Sequence, residues 1–182
     1  MKQWKTLSKE TVFKIEKYVT VETRRIELPD GKIIPDWQWV ITPDYINVIA
    51  VTEEGKFLCF RQTKYAVEGK SLAPVGGYIE PGEEPLHAAK RELLEETGYK
   101  AKEWFPLGDF PVDANRGMGR ANFFLATGAH YVTAPNRNDL EEIELLFLER
   151  SDMDAAVSIG EFKVLPWTAA VLLALKHLDG KK

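Results

Sequence analysis

Glutamates crowd one short stretch of the chain, GGYIEPGEEPLHAAKRELLEETGYK, which runs from Gly76 to Lys100. Glu83 stands near its middle, and Glu92, Glu95 and Glu96 fall within five positions. Read as a helix, these last three share one face about 100° wide. Leu86, Ala89 and Leu93 form a separate apolar face suited to packing. Like charges at helical spacing oppose helix formation. Within a predicted helix over Pro85–Thr97, no Lys or Arg follows any of the three at i+4. The run Pro74-Val75-Gly76-Gly77 stands just ahead and brings backbone carbonyls near the acidic face. Carboxylates with a carbonyl are hard oxygen ligands, the set that suits Mg²⁺ or Mn²⁺. A divalent cation would cancel the repulsion, whereas the bland alternative is a solvated acidic face.

Such a helix needs a sheet to lie on. Pro85 suits its first turn and Gly98 its stop. Residues 11–28 are rich in β-branched and aromatic types and predict extended segments, ended by a turn at Leu28-Pro29-Asp30-Gly31. Trp37–Ile41 predicts another strand. Ile46–Val51 and Lys56–Arg61 flank Glu53-Glu54-Gly55 as a hairpin. Phe105–Phe110, Ala121–Tyr131 and Ile143–Leu148 predict further strands, a short helix is expected near Asp152–Val157, and Trp167–Leu178 predicts an apolar closing helix. The pattern is α/β, a helix–sheet–helix sandwich. Residues 1–45 are expected to form a small N-terminal β-sheet segment, with the main domain over 46–182.

The composition excludes other classes. The chain has 182 residues, 45% apolar and 29% charged, with a formal net charge of −4 and no basic stripe. That balance argues against a nucleic-acid or membrane surface as the main partner. The opening MKQWKTLSKE carries no apolar signal-peptide core. Cys59 is the single cysteine, so no disulfide forms within the chain and a reducing, cytoplasmic compartment is expected. Within the strand-like FLCF it reads as a small buried apolar residue. His87, His130 and His177 show no paired spacing and read as structural or exposed.

The acidic stretch resembles the signature of the Nudix hydrolases, G-x5-E-x7-R-E-U-x-E-E-x-G-U. The matching residues are Gly77, Glu83, Arg91, Glu92, Leu93, Glu95, Glu96 and Gly98, with Tyr99 at the final aliphatic position. The resemblance implies a Nudix-type α/β/α sandwich with a mixed sheet. It also implies hydrolysis of a nucleoside diphosphate linked to another group, with Mg²⁺ or Mn²⁺ as cofactor. Glu92 and Glu96 would be the principal metal ligands, with Glu95 beside them and the Gly76 carbonyl as a backbone ligand. Glu83 would hold the metal site or its waters, and Arg91 would orient the glutamates.

The surrounding order is similar to the ADP-ribose and nucleotide-sugar pyrophosphatase branch: LPDG, a Trp-containing strand, a strand ending Arg61-Gln62, then the signature. That likeness implies cleavage of a nucleoside diphosphate sugar by a homodimer whose N-terminal strands reach both sites. Trp4, Trp37 and Trp39 are candidates for stacking the nucleobase, or else for core or dimer packing. Two departures stand out. Ala73 occupies the place where the branch often has a glutamate. The segment from Phe110 to Arg120 is longer than the usual Ser-Pro-Gly and carries Arg116 and Arg120, suited to gripping a phosphate or sugar or simply part of a surface loop. The general base would come from a later acidic loop, with Glu141 first and Glu142, Asp139 and Asp113 behind it. Another Nudix substrate (a triphosphate, a dinucleotide or a coenzyme) and a non-catalytic nucleotide sensor are the alternative functions.

Overall fold

The computed structural model describes residues 2–136 and 143–180. The chain divides into two compact units. One comprises the N-terminal segment through Asp44 together with Phe110–Arg120, and the other comprises Tyr45–Asp109 with the chain from Ala121 onward.

The first unit is a four-stranded sheet of β1 (Lys5–Ile15), β2 (Val19–Glu27), β3 (Ile33–Thr42) and β10 (Gly117–Met118), in that spatial order. The first three strands pair antiparallel, and β10 runs parallel to β3. The expected turn closes β2–β3, with Leu28 and Lys32 bonded across it and Gly31 at φ 88°. Strand propensity extends further back than the β-branched run, to Lys5. The extended segments expected over 11–28 are separated by a turn at residues 16–18, where Glu16 takes φ 29°. Within the segment read as a loop, Gly117 and Met118 pair with Ile41 and Thr42. Trp37 and Trp39 share a face of β3, as alternation requires.

The second unit is a mixed sheet between helices. Its path is β12 (Ile143–Leu148), β5 (Phe57–Lys64), β4 (Tyr45–Thr52), β11 (Arg120–Tyr131) and β8 (Tyr99–Lys100). β6 (Val67–Ala73) pairs with β5, β7 (Val75–Tyr78) with β4, and β9 (Glu103–Pro111) with β11. Strands β4 and β11 pair in parallel. Strand β4 shows how the sheet positions the helices. Ile46, Val48 and Ala50 face one layer, where Ala88, Ala89 and Leu93 of α1 (Pro85–Thr97) pack. Ile49 faces the other layer, packed by Met153 and Ala156 of α2 (Arg150–Ser158) and by Ala170, Val171 and Leu175 of α3 (Leu165–Asp179). A strand buried on both faces reads as the continuous apolar run seen in INVIAV. Burying each such Ile or Leu stabilises by about 1.5–3 kcal/mol. The expected α/β/α sandwich is thus the observed architecture. Among the described residues, no helix is long and apolar enough to cross a membrane.

The acidic helix has the predicted limits. Pro85 opens it without a side-chain cap, and Gly98 closes it in the left-handed conformation at φ 76°, its N–H donating to the Leu94 carbonyl at 2.8 Å. Strands β6 and β7 are new relative to the sequence reading. The segment just ahead of the helix is β7, in register with β4 through Gly76↔Asn47 and Gly77↔Ile46. Glycines and a proline mask its strand character.

Candidate metal and active site

Helix α1 holds its acidic face where the packing face dictates. Leu93 and Ala89 are fully buried, so Glu92, Glu95 and Glu96 turn away from that core. Arg91 is the hub of the cluster. Its Nε and Nη2 donate to the two carboxylate oxygens of Glu83, each at 2.9 Å, a bidentate fork. Its Nη1 donates to Glu92 Oε1 at 2.7 Å and to Glu95 Oε2 at 3.2 Å, and Nη2 also reaches the Tyr78 carbonyl at 3.1 Å. The charge repulsion that the sequence left unrelieved at i+4 is therefore relieved from the other side. Arg91 stands one residue before Glu92 and four before Glu95, and it also reaches Glu83.

The four carboxylates do not share one environment. Glu83 lies well below the usual carboxylate range, chiefly because of its hydrogen bonds from Arg91. Glu92 moves the opposite way: burial raises it, against the pull of Arg91. Its side chain is only 14% exposed. Glu95 is more open, while Glu96 Oε2 accepts the Gly76 N–H at 3.2 Å. A Cβ at Gly77 would lie 2.1 Å from Glu92 Oε1, so glycine there lets the Glu92 carboxylate keep its place. The signature glycine thus makes room for a signature carboxylate.

Among the described residues, no three carboxylate, imidazole or thiolate groups converge on a common point. Arg91 draws Glu83, Glu92 and Glu95 to itself. The donor set is nonetheless all hard oxygen, and Glu92 carries a desolvated charge that a single guanidinium does not fully offset. Those properties fit a divalent cation of the Mg²⁺ class.

Beside this cluster opens a cleft of about 380 Å³, walled by Asn47, Gln62, Lys64, Tyr78, Glu96 and Trp167 among others. Strands β4 and β5 pair only next to their hairpin, at Ala50↔Leu58 and Val51↔Phe57. Further along, β4 turns to β7 while β5 turns to β6 and β12, and the sheet forks. Sequence reasoning missed this wall. One signal was available: Asn47 is a lone amide inside the apolar run INVIAV.

Arg61 pairs with Glu144 at 3.6 Å across β5 and β12 and does not line that cleft. Trp4, Trp37, Trp39 and Arg116 belong to the first unit. Trp4 meets Trp37 edge-on at 5.6 Å, and Arg116 lies over the other ring of that pair, 5.1 Å from the Trp37 centroid. Trp37 Nε1 donates to the Asn115 carbonyl at 3.2 Å. Arg24 covers Trp39 at 4.2 Å. Arg120 donates its backbone N–H to Asp44 at 2.8 Å. Glu141, Glu142 and Asp139 lie outside the described residues. Cys59 is buried, and its thiol is pushed up to about 12 by desolvation, so it does not offer a thiolate. His87 is exposed on α1, and His177 packs against Phe105 at 5.1 Å.

Comparison with known proteins agrees with this geometry. The chain is 29% identical over 178 residues to the ADP-ribose pyrophosphatase of Bacillus subtilis (strain 168), covering 98% of this chain and 94% of that one. It is 27% identical over 175 residues to the methanol dehydrogenase activator of Bacillus methanolicus, covering 96% and 92%. A solved structure described as an ADP compounds hydrolase superposes with a TM-score of 0.81 at 19% identity, over 100% of this chain and 97% of that one, and shares the fold. The family model for the NUDIX domain matches residues 42–168, spanning the forked sheet, the carboxylate helix and the start of α3, and the chain belongs to the Nudix family.

Proposed function

We propose that this Nudix chain is a metal-dependent hydrolase of nucleoside diphosphate sugars of the ADP-ribose kind, releasing a nucleoside monophosphate and a sugar phosphate. The observation that carries the reading is the unequal carboxylate set on α1 and just ahead of it. Glu83 is neutralised by the Arg91 fork, while Glu92 remains desolvated and under-compensated beside a cleft. The substrate class rests on the near full-length similarity to the Bacillus subtilis ADP-ribose pyrophosphatase.

Glu92 and Glu96 are assigned as the principal ligands of Mg²⁺ or Mn²⁺, with Glu95, Glu83 and the Gly76 carbonyl completing the set. A divalent cation supplies charge neutralisation at the diphosphate oxygens and acidifies water at the site. The chain supplies the rest. Arg91 aims the Glu83, Glu92 and Glu95 carboxylates. Gly76 fixes the Glu96 carboxylate through its N–H. Water adds to one phosphorus, the bridging P–O bond breaks, and the water proton passes to a base. Glu141 is assigned to that role, with Glu142, Asp139 and Asp113 next in order. Arg61, Arg116 and Arg120 are assigned to substrate phosphate or sugar, and Trp4, Trp37 and Trp39 to the nucleobase.

Residues 1–45 are assigned to dimerisation. Strand β1 is the edge of its sheet, and Leu7, Val12, Phe13 and Ile15 along it are each about half exposed. An exposed edge strand of eleven residues with four apolar side chains is a template for another chain, and we assign a second copy of this one to it. A cytoplasmic location follows from a single buried, unpaired cysteine.

A substrate panel tests the function. ADP-ribose, other nucleoside diphosphate sugars, nucleoside triphosphates and dinucleotides are incubated with Mg²⁺ or Mn²⁺, and the products are identified. Nucleoside monophosphate plus sugar phosphate, with the highest kcat/KM on a diphosphate sugar, is the expected outcome. A higher kcat/KM on triphosphates or dinucleotides would replace this substrate class with the second Nudix reading. Saturable binding with no turnover of any compound would mark a nucleotide sensor.

A further inference from the structure

Asn47 has no assigned role in the Nudix signature, and its place in the fold is costly. It is 3% exposed on β4, between Ile46 and Val48, both fully buried. Its Oδ1 is sealed and accepts no hydrogen bond among the described residues. An unsatisfied buried amide destabilises a fold, and a native one calls for an explanation. Packing alone does not provide it, because an apolar side chain of the same shape would fill the position without that cost.

The surroundings supply the explanation. Asn47 is in register opposite Gly76. Its Nδ2 lies 2.4 Å from where a Gly76 Cβ would be, so the amide rests directly on the Gly76 backbone. Gly76 in turn donates its N–H to Glu96 Oε2 at 3.2 Å. Asn47, Gly76 and Glu96 all line the same cleft. We infer that Asn47 is a positioning residue: its side-chain amide braces the Gly76 peptide, and through it sets the Glu96 carboxylate for a divalent cation. This inference rests on the metal site proposed above. Groups that orient a metal ligand in this way typically change affinity 10–100-fold when removed.

The test measures metal binding without substrate. Free Mn²⁺ is followed by electron paramagnetic resonance during titration of the metal-free protein, alongside its melting temperature. The variants are Asn47→Leu, which keeps the shape and loses the amide, and Asn47→Ala, which loses both. The expected result is an Mn²⁺ Kd weakened by about tenfold in each, with the Asn47→Leu melting temperature equal to or above the parent. If either folded variant binds Mn²⁺ within twofold of the parent, the amide is only packing and the inference fails. If both variants unfold, the amide is structural and the inference fails as well. Glu92→Gln separates the two levels of the argument. Equal Mn²⁺ binding by Glu92→Gln and the parent would overturn the metal site itself, whatever Asn47 does.

Discussion

Arg91 offers the sharpest test of how the acidic face is held. Its guanidinium makes five hydrogen bonds, two of them to Glu83 and one each to Glu92, Glu95 and the Tyr78 carbonyl. The Glu95 partner is 47% exposed and adds little once solvent screens it. Glu83 and Glu92 are 16% and 14% exposed, and their charges are left unpaired in the variant Arg91→Met. Breaking a buried pair by removing one partner costs about 3–5 kcal/mol. Arg91 is itself a quarter exposed, which places the metal-free loss near the lower end, about 3 kcal/mol. For a chain of this size that lowers the melting temperature by about 6–12 °C. Arg91→Lys keeps the charge but not the fork, and it should fall between the variant and the parent. Thermal unfolding by circular dichroism, with and without Mg²⁺, reads both. Added Mg²⁺ should recover more stability in Arg91→Met than in the parent, since a cation then meets carboxylates with no guanidinium competing. A metal-free Arg91→Met melting within 2 °C of the parent would refute the claim that Arg91 holds this cluster together.

Other consequences are open to direct measurement. Glu92→Gln and Glu96→Gln should each abolish nearly all turnover at saturating Mg²⁺ while the metal-free melting temperature holds or rises; near-normal activity would remove them from the metal site. Stability should respond to pH in opposite senses at two residues. The contribution of Glu83, lowered by Arg91, is present above the ordinary carboxylate range and is lost as pH falls through its depressed value. The cost of Glu92, raised by burial, appears as pH rises from the ordinary carboxylate value through its raised one, so Glu92→Gln should flatten that limb of a urea-denaturation profile. Glu141→Gln should lower kcat by about 10²–10⁴ with little change in KM, and a kcat within a few-fold of the parent would move the base to Glu142, Asp139 or Asp113. Phe13→Lys with Val12→Lys should shift sedimentation toward a monomer, whereas a parent already monomeric at micromolar concentration contradicts the dimer assignment.

The sequence was most informative where local chemistry decides structure. Helix α1 was legible at both ends because Pro85 and Gly98 act on the backbone directly. The hairpin of β4 and β5 was legible because two apolar runs bracket Glu53-Glu54-Gly55. Strand β7 was not, because Gly76 and Gly77 carry no strand propensity; their pairing with Asn47 and Ile46 is imposed by β4. Strand β10 has only two residues, and its partner β3 lies some seventy-five positions earlier, a distance over which no periodicity speaks. The site divides along the same line. Glu83, Glu92, Glu95 and Glu96 were visible as residue types at fixed spacing. The fork between β4 and β5 arises from which strand each one leaves for, and it is a property of topology alone.

The clustered charge has a two-part physical answer. One guanidinium bonds three carboxylates, and it is spent unequally. The bidentate fork goes to Glu83, the residue farthest along the chain from the other two. Glu92 receives a single bond from the same nitrogen that serves Glu95. Glu83 and Glu92 are almost equally buried, at 16% and 14% exposed, yet Glu83 receives two of the bonds and Glu92 one. Glu92 is desolvated and left with a raised pKa, while Glu96 Oε2 accepts the Gly76 N–H. Asn47, whose Oδ1 is unsatisfied, lines the same cleft as Glu96. Proteins tolerate such local instability where a ligand relieves it, and the oxygen donors assigned above to a metal suit a small, hard, doubly charged cation.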